Sequence, residues 1–132
     1  MKVNIDTKEK FTVLTPLDAD LHANLAANLT EITDNYLQQP VKNLVLNFQH
    51  VQSIDNQTAQ IVATQQQKFY ENNSSFVVCC LTEPVEEQLD KYELLEMLNT
   101  TPTESEAWDI VQMEEIEREL MDGEDFEFIA DD

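Results

Sequence analysis

The chain has 132 residues, 42% of them hydrophobic, which is enough for one domain around a single core. Its 27 acidic residues against 7 basic ones give a net charge of −20, a surface that repels phosphate polymers and anionic membranes and excludes nucleic acid as a partner. No stretch approaches the roughly 20 apolar residues of a membrane span, and the charged opening MKVNIDTKEK does not read as a secretory leader, so a cytoplasmic protein without membrane insertion is expected.

The first elements are short. Lys2 to Asp6 and Phe11 to Thr15 read as two strands around the polar turn Thr7-Lys8-Glu9-Lys10, most economically a hairpin. Pro16, Asp18 and Asp20 announce a helix, and Leu21, Leu25, Leu29, Ile32 and Tyr36 recur at spacings of three and four, one helical face that should end before Pro40. Asn43 to Phe48 is a β-rich run of the kind that fills a covered sheet. Asp55 then stands as the natural N-cap of a helix from Asn56 to Glu71, with Ala59, Val62, Ala63, Gln66 and Phe69 toward one side. After the polar turn at Asn72 to Ser75, Phe76 to Leu81 is a second continuous apolar strand. Strand, helix and strand in this order imply a right-handed parallel crossover.

The second half holds most of the charge, with 19 acids and 2 bases in residues 83–132 against 8 acids and 5 bases before them, so electrostatic steering originates there. Pro84 opens a short helix carrying Val85, Leu89 and Tyr92, and Met97 to Thr100 suits a last short strand. Thr103 and Glu106 have capping-box spacing. They open a helix over about 104–121 whose apolar residues are Ala107, Trp108, Ile110, Val111, Met113, Ile116 and Leu120. From Asp122 to Asp132 the chain is an acidic tail, expected to be mobile, in which Phe126, Phe128 and Ile129 sit among acids.

No constellation for catalysis stands out, and no cofactor is implied: there is no glycine-rich phosphate loop and no nucleophile placed with a base, and the only glycine is Gly123. His22 and His50 read as surface residues far apart in the chain, so no metal site is expected. Asp122, Glu124 and Asp125 lack the alternating ligand pattern of a calcium loop. Cys79 and Cys80, the two cysteines, read as reduced core thiols, because neighbours on a strand point to opposite faces and do not readily share a disulfide.

From Met1 to about Val111, several phrases in order and spacing resemble the STAS domain family of anti-sigma factor antagonists: Asn43-Leu44-Val45-Leu46-Asn47-Phe48, then Val51-Gln52-Ser53-Ile54-Asp55, the apolar strand to Leu81, and Pro102-Thr103-Glu104-Ser105-Glu106-Ala107. The resemblance implies an α/β fold. It would be a small mixed sheet of four to five strands, the central ones parallel, packed with about four helices. It also implies a protein partner, an anti-sigma factor or related kinase-like regulator. In that family the loop into the second helix reads Asp-Ser-Ser-Gly-Leu, and its second serine is phosphorylated. Here the matching positions are Asp55-Asn56-Gln57-Thr58-Ala59, so Gln57 stands where the acceptor hydroxyl would be.

The expected function is therefore a regulatory binding module rather than an enzyme, with Ser53, Asp55, Asn56, Gln57, Thr58 and Ala59 as its partner-binding residues. Thr58 is the hydroxyl in that loop placed for phosphorylation, since a phosphate at a helix N-terminus meets free N–H groups and the positive end of the dipole. The alternative is a fixed adaptor or structural subunit of a larger complex or transporter, with no switching role.

Overall fold

The structure is a computed structural model and describes residues 1–122; the acidic stretch from Gly123 to Asp132, with Phe126, Phe128 and Ile129, lies outside the described residues. Seven strands and four α-helices follow one another among the described residues. They are β1 (Val3–Thr7), β2 (Thr12–Pro16), β3 (Asp20–Leu21), α1 (Ala23–Tyr36), β4 (Leu44–Asn47), β5 (Ser53–Ile54), α2 (Asn56–Glu71), β6 (Phe76–Cys79), α3 (Glu83–Lys91), β7 (Thr100–Thr101) and α4 (Glu104–Asp122), with a 3₁₀ turn at Leu95–Met97 before β7.

The main sheet has the order β1-β2-β4-β6-β7. β1 runs antiparallel to β2, as the hairpin reading requires, and β2, β4, β6 and β7 are mutually parallel. Successive side chains on a strand point to opposite faces, and both faces are covered. Leu14, Leu44, Leu46, Phe76 and Val78 point to one side, where Leu29 of α1, Ala59, Val62 and Phe69 of α2, and Val85 and Leu89 of α3 close over them. Val13, Val45, Val77 and Cys79 point to the other, where Ala107 and Val111 of α4 meet them. This double burial explains why β4 and β6 read as unbroken apolar runs.

Several boundaries differ from the sequence reading, each for a tertiary reason. Leu21 was expected inside the first helix. Instead Asp20 and Leu21 form β3, which pairs in parallel with Ser53 and Ile54 of β5, and α1 begins two residues later. The buried positions of α1 are then Ala26, Leu29 and Thr33, with Leu25, Ile32 and Tyr36 half-buried. Thr33 tolerates burial because its hydroxyl donates to the Leu29 carbonyl at 2.8 Å and accepts from Gln65 Nε2 at 2.7 Å. Gln65, rather than Gln66, is the buried glutamine of α2. The strand expected to reach Leu81 stops at Cys79, because Cys80 has a φ of 62°, in the left-handed region that strand pairing does not allow. Cys79 and Cys80 were expected on opposite faces, yet that turn leaves both against the same cluster beneath α4. The strand placed at Met97 to Thr100 resolves into the 3₁₀ turn and β7.

The apolar residues of α4 are unequally covered. Only Ala107 and Val111 are fully buried, while Trp108 is 42% exposed and Met113, Ile116 and Leu120 more so. The reason is length. A helix of 19 residues spans about 28 Å, whereas β4 and β6 have four residues each, a width of about 13 Å along the strand. Past Val111 the helix is held by polar contacts instead. Glu114 Oε1 accepts from Tyr70 Oη at 2.7 Å and Ser75 Oγ at 2.6 Å, and Arg118 donates to Asn43 Oδ1 and Ser75 Oγ, both at 3.1 Å. Burial, reinforced by Glu114, pushes the Tyr70 phenol up, so it stays a donor.

Phe69, unexposed and edge-on to Phe76 at a centroid distance of 5.1 Å, is the largest α2 side chain in the core. Phe69→Ala is expected to cost about 3–5 kcal/mol, read as a lower midpoint in urea unfolding followed by circular dichroism.

Candidate functional site

The loop from Ser53 to Ala59 is assembled by three helices. β5 supplies Ser53 and Ile54, and the backbone turns into α2 at Asp55, which has an extended φ of −87° and ψ of 169° suited to an N-cap. One oxygen of its carboxylate, Oδ1, accepts from the Thr58 N–H at 2.9 Å. The other, Oδ2, accepts from the Ala23 N–H of α1 at 2.8 Å. The residue preceding α1, His22, makes no side-chain cap of its own, so Asp55 serves the starts of both helices. The short β3–β5 pairing makes this reach possible, and the Asp55 N–H itself donates to the Leu21 carbonyl at 3.2 Å.

α3 holds the loop from the other side. Gln88 Oε1 accepts from the Ile54 N–H at 2.8 Å, the Tyr92 hydroxyl donates to the Ile54 carbonyl at 3.2 Å, and the Thr82 hydroxyl donates to the Val51 carbonyl at 2.7 Å. The loop contacts of Gln88, Tyr92 and Thr82 escaped the sequence reading, since nothing in their spacing links them to residues more than thirty positions away. His22 was read as a surface residue and is exposed, but its Nε2 lies 2.7 Å from Ser53 Oγ, a contact that β3–β5 pairing creates.

The proposed contact residues divide by exposure. Asn56 and Gln57 are exposed, Ser53 and Asp55 are half-buried, and Thr58 and Ala59 are buried. Thr58 is only 1% exposed, and its Oγ1 makes no hydrogen bond among the described residues. Its hydroxyl is thus buried near the Asp55 carboxylate that caps its N–H. For Asp55, burial opposes the charged form, but hydrogen bonds from Thr58 and Ala23, with His22 nearby, outweigh it and hold the carboxyl below its ordinary value.

Among the described residues no group of three or more His, Cys, Asp or Glu side chains is placed to hold a metal, and no helix is long and apolar enough to cross a membrane. A groove of about 460 Å³ lies between the β1–β2 turn and α4, lined by Lys8, Phe11, Glu104, Trp108 and Gln112 among others, and none of the loop residues lines it.

The STAS domain family model matches residues 2–107. The chain belongs to the STAS domain family. The match ends within the first turn of α4, so most of that helix lies beyond it. Among solved structures, a Thermotoga maritima protein described as a candidate anti-sigma factor antagonist superposes with a TM-score of 0.73 at 20% identity, over 83% of this chain and 94% of that one. The anti-sigma factor antagonist SpoIIAA in its unphosphorylated form superposes at 0.67 and 15% identity, over 84% of this chain and 96% of that one. The murine anion transporter Slc26a9 in its inward-facing state matches at 0.66 and 11% identity, over 79% of this chain but 18% of the transporter. At these identities the likeness is one of fold. No curated protein matches the chain.

Asp55→Ala removes an acceptor from two helix starts and is expected to cost about 1–2 kcal/mol, measured by urea unfolding. Because the folded carboxyl sits below its ordinary value of 3.8, its extra stabilisation is complete above that pH and is lost as pH falls through the folded value. The gap between wild type and Asp55→Ala should therefore be widest near neutral pH and narrow on acidification below pH 3.8.

Proposed function

We propose that this STAS domain is a non-catalytic regulatory module that binds another protein in the cytoplasm, engaging it through Ser53, Asp55, Asn56, Gln57, Thr58 and Ala59 and the outer side of α2. The partner is of the kind that anti-sigma factor antagonists take, an anti-sigma factor or a related kinase, and the mechanism is competitive sequestration: occupying the partner releases whatever it holds. In this reading the binding domain spans residues 1–121, with the acidic segment 122–132 appended to it.

The observation that carries the reading is the chemistry of α2's outer side. In a chain of net charge −20, its exposed positions are Asn56, Gln57, Gln60, Thr64 and Gln67, with Glu71 at the far end. Interface centres are depleted of charge while their rims remain polar, and an uncharged amide surface beside a rigidly held loop fits that description. The net charge of −20 can steer a basic partner toward the domain as a whole.

Gln57 stands at the position of the family's acceptor serine, so control in this chain rests on abundance, on another hydroxyl or on a third protein. Thr58 is the candidate hydroxyl in the loop, and modifying it requires the first turn of α2 to open, because its side chain is inside. A second reading, a fixed adaptor within a larger assembly, is favoured by the fold match to a segment of the transporter Slc26a9.

The test is affinity capture of the tagged full-length protein from its own cells, with mass spectrometry of captured proteins and of its Ser and Thr sites. Capture of a kinase-like anti-sigma regulator is expected, with the purified pair weakened at least tenfold, about 1.4 kcal/mol, by Gln57→Lys combined with Gln60→Lys, whose circular dichroism should match wild type. Phosphate on Thr58 would locate the control in α2. Invariable co-purification with one assembly, indifferent to those substitutions and free of phosphate, would instead support the adaptor.

A further inference from the structure

The two cysteines lie where β6 ends. Cys79 is the last strand residue and is wholly buried, while Cys80 is half-buried and leaves the strand with a φ of 62°. A non-glycine residue enters that left-handed region at a cost of about 1–2 kcal/mol. In a strand that simply continued, the two side chains would diverge to opposite faces of the sheet. The left-handed turn keeps them together: Cys79 belongs to the cluster of Val45, Val77, Ala107 and Val111, and Cys80 packs against the same cluster. The thiols are also electrostatic neighbours, since burial first, then the Cys80 thiol and the Glu104 carboxylate hold the Cys79 thiol protonated.

We propose that Cys79 and Cys80 form a vicinal dithiol modification site that low-molecular-weight disulfides oxidise to a ring disulfide between the adjacent residues. The more accessible Cys80, as thiolate, attacks one sulfur of the small disulfide; a Cys80 S–S bond forms and the other half departs as a thiolate. The sulfur of Cys79 then attacks Sγ of Cys80 while its proton passes to the departing small thiolate, closing the ring and releasing the second small thiol. The two protein thiols lose two electrons and two protons, and the small disulfide gains both electrons.

The site is built for reversal rather than for stapling. Adjacent Cα atoms are about 3.8 Å apart, short of the usual disulfide span of about 4.4–6.8 Å, so the ring is strained and returns readily to the dithiol when the surroundings become reducing. Cys79 shares its buried cluster with Ala107 and Val111, the two residues of α4 that are fully buried. Oxidation at the end of β6 is therefore felt where α4 is seated on the sheet, on the opposite side from α1, α2 and α3.

The experiment uses the full-length protein with excess glutathione disulfide, followed by alkylation of remaining thiols and intact and peptide mass spectrometry. Wild type is expected to lose two hydrogens, retain no glutathione, resist alkylation at both positions and recover both thiols in dithiothreitol. Cys79→Ala should stop with one glutathione on Cys80, and Cys80→Ala should leave Cys79 unreactive until the protein is denatured. Wild type that keeps glutathione on Cys80, links into disulfide dimers or retains two free thiols, with circular dichroism showing it folded, would overturn the proposal. None of these readouts involves the Asp55 loop or its partner.

Discussion

A single carboxylate joins the starts of two helices. Asp55 accepts from Thr58 of α2 and from Ala23 of α1, and each N–H it satisfies would otherwise be an orphan at a helix terminus. Because the oxygens are fixed on one side chain, α1 and α2 cannot shift independently at this end. Their far ends are tied by a second polar contact, in which Asp34 accepts from Gln65 and Lys68 at 2.8 Å each. The two helices thus present one rigid surface, and the loop between β5 and α2 inherits that rigidity. Backing by Gln88 and Tyr92 leaves Asn56 and Gln57 as the exposed residues of a loop whose backbone is otherwise committed.

The same sheet supports two different kinds of attachment. On the side of α1, α2 and α3, the core is broad and apolar and contains Phe48, Phe69 and Phe76. On the other side α4 meets a narrower strip, and beyond Val111 it depends on Glu114 and Arg118. Hydrophobic burial is non-directional, whereas hydrogen bonds to charged groups need geometry. The near half of α4 is placed by contact area and the far half by four hydrogen bonds.

How much of this was legible in the sequence depended on whether the deciding interaction was local. The cap at Asp55, the helix that follows it and the paired apolar strands are properties of short windows, and they were readable as such. The family resemblance was carried by the same windows. Leu21 was misassigned because its strand partner, Ile54, lies thirty-three positions away, and α1 therefore starts later than its apolar periodicity suggests. The sequence showed the apolar residues of α4 without showing which of them are buried, because a helix pattern does not report whether the sheet is wide enough to cover it. Gln88, Tyr92 and His22 gained their roles only through contacts across the fold. The turn at Cys80 gave no warning, since glycine is the usual residue for a positive φ and none stands there.

The rims of the main sheet have a consequence of their own. At one rim β7 offers two residues, too few to template an added strand. At the other, β1 is largely exposed but carries Asp6 within its ladder and is followed by Lys8, which pairs with it at 2.9 Å. Short or charged rims are how sheets avoid growing by edge-to-edge addition. For this chain the two rims disfavour edge-to-edge addition of one copy's sheet to another's.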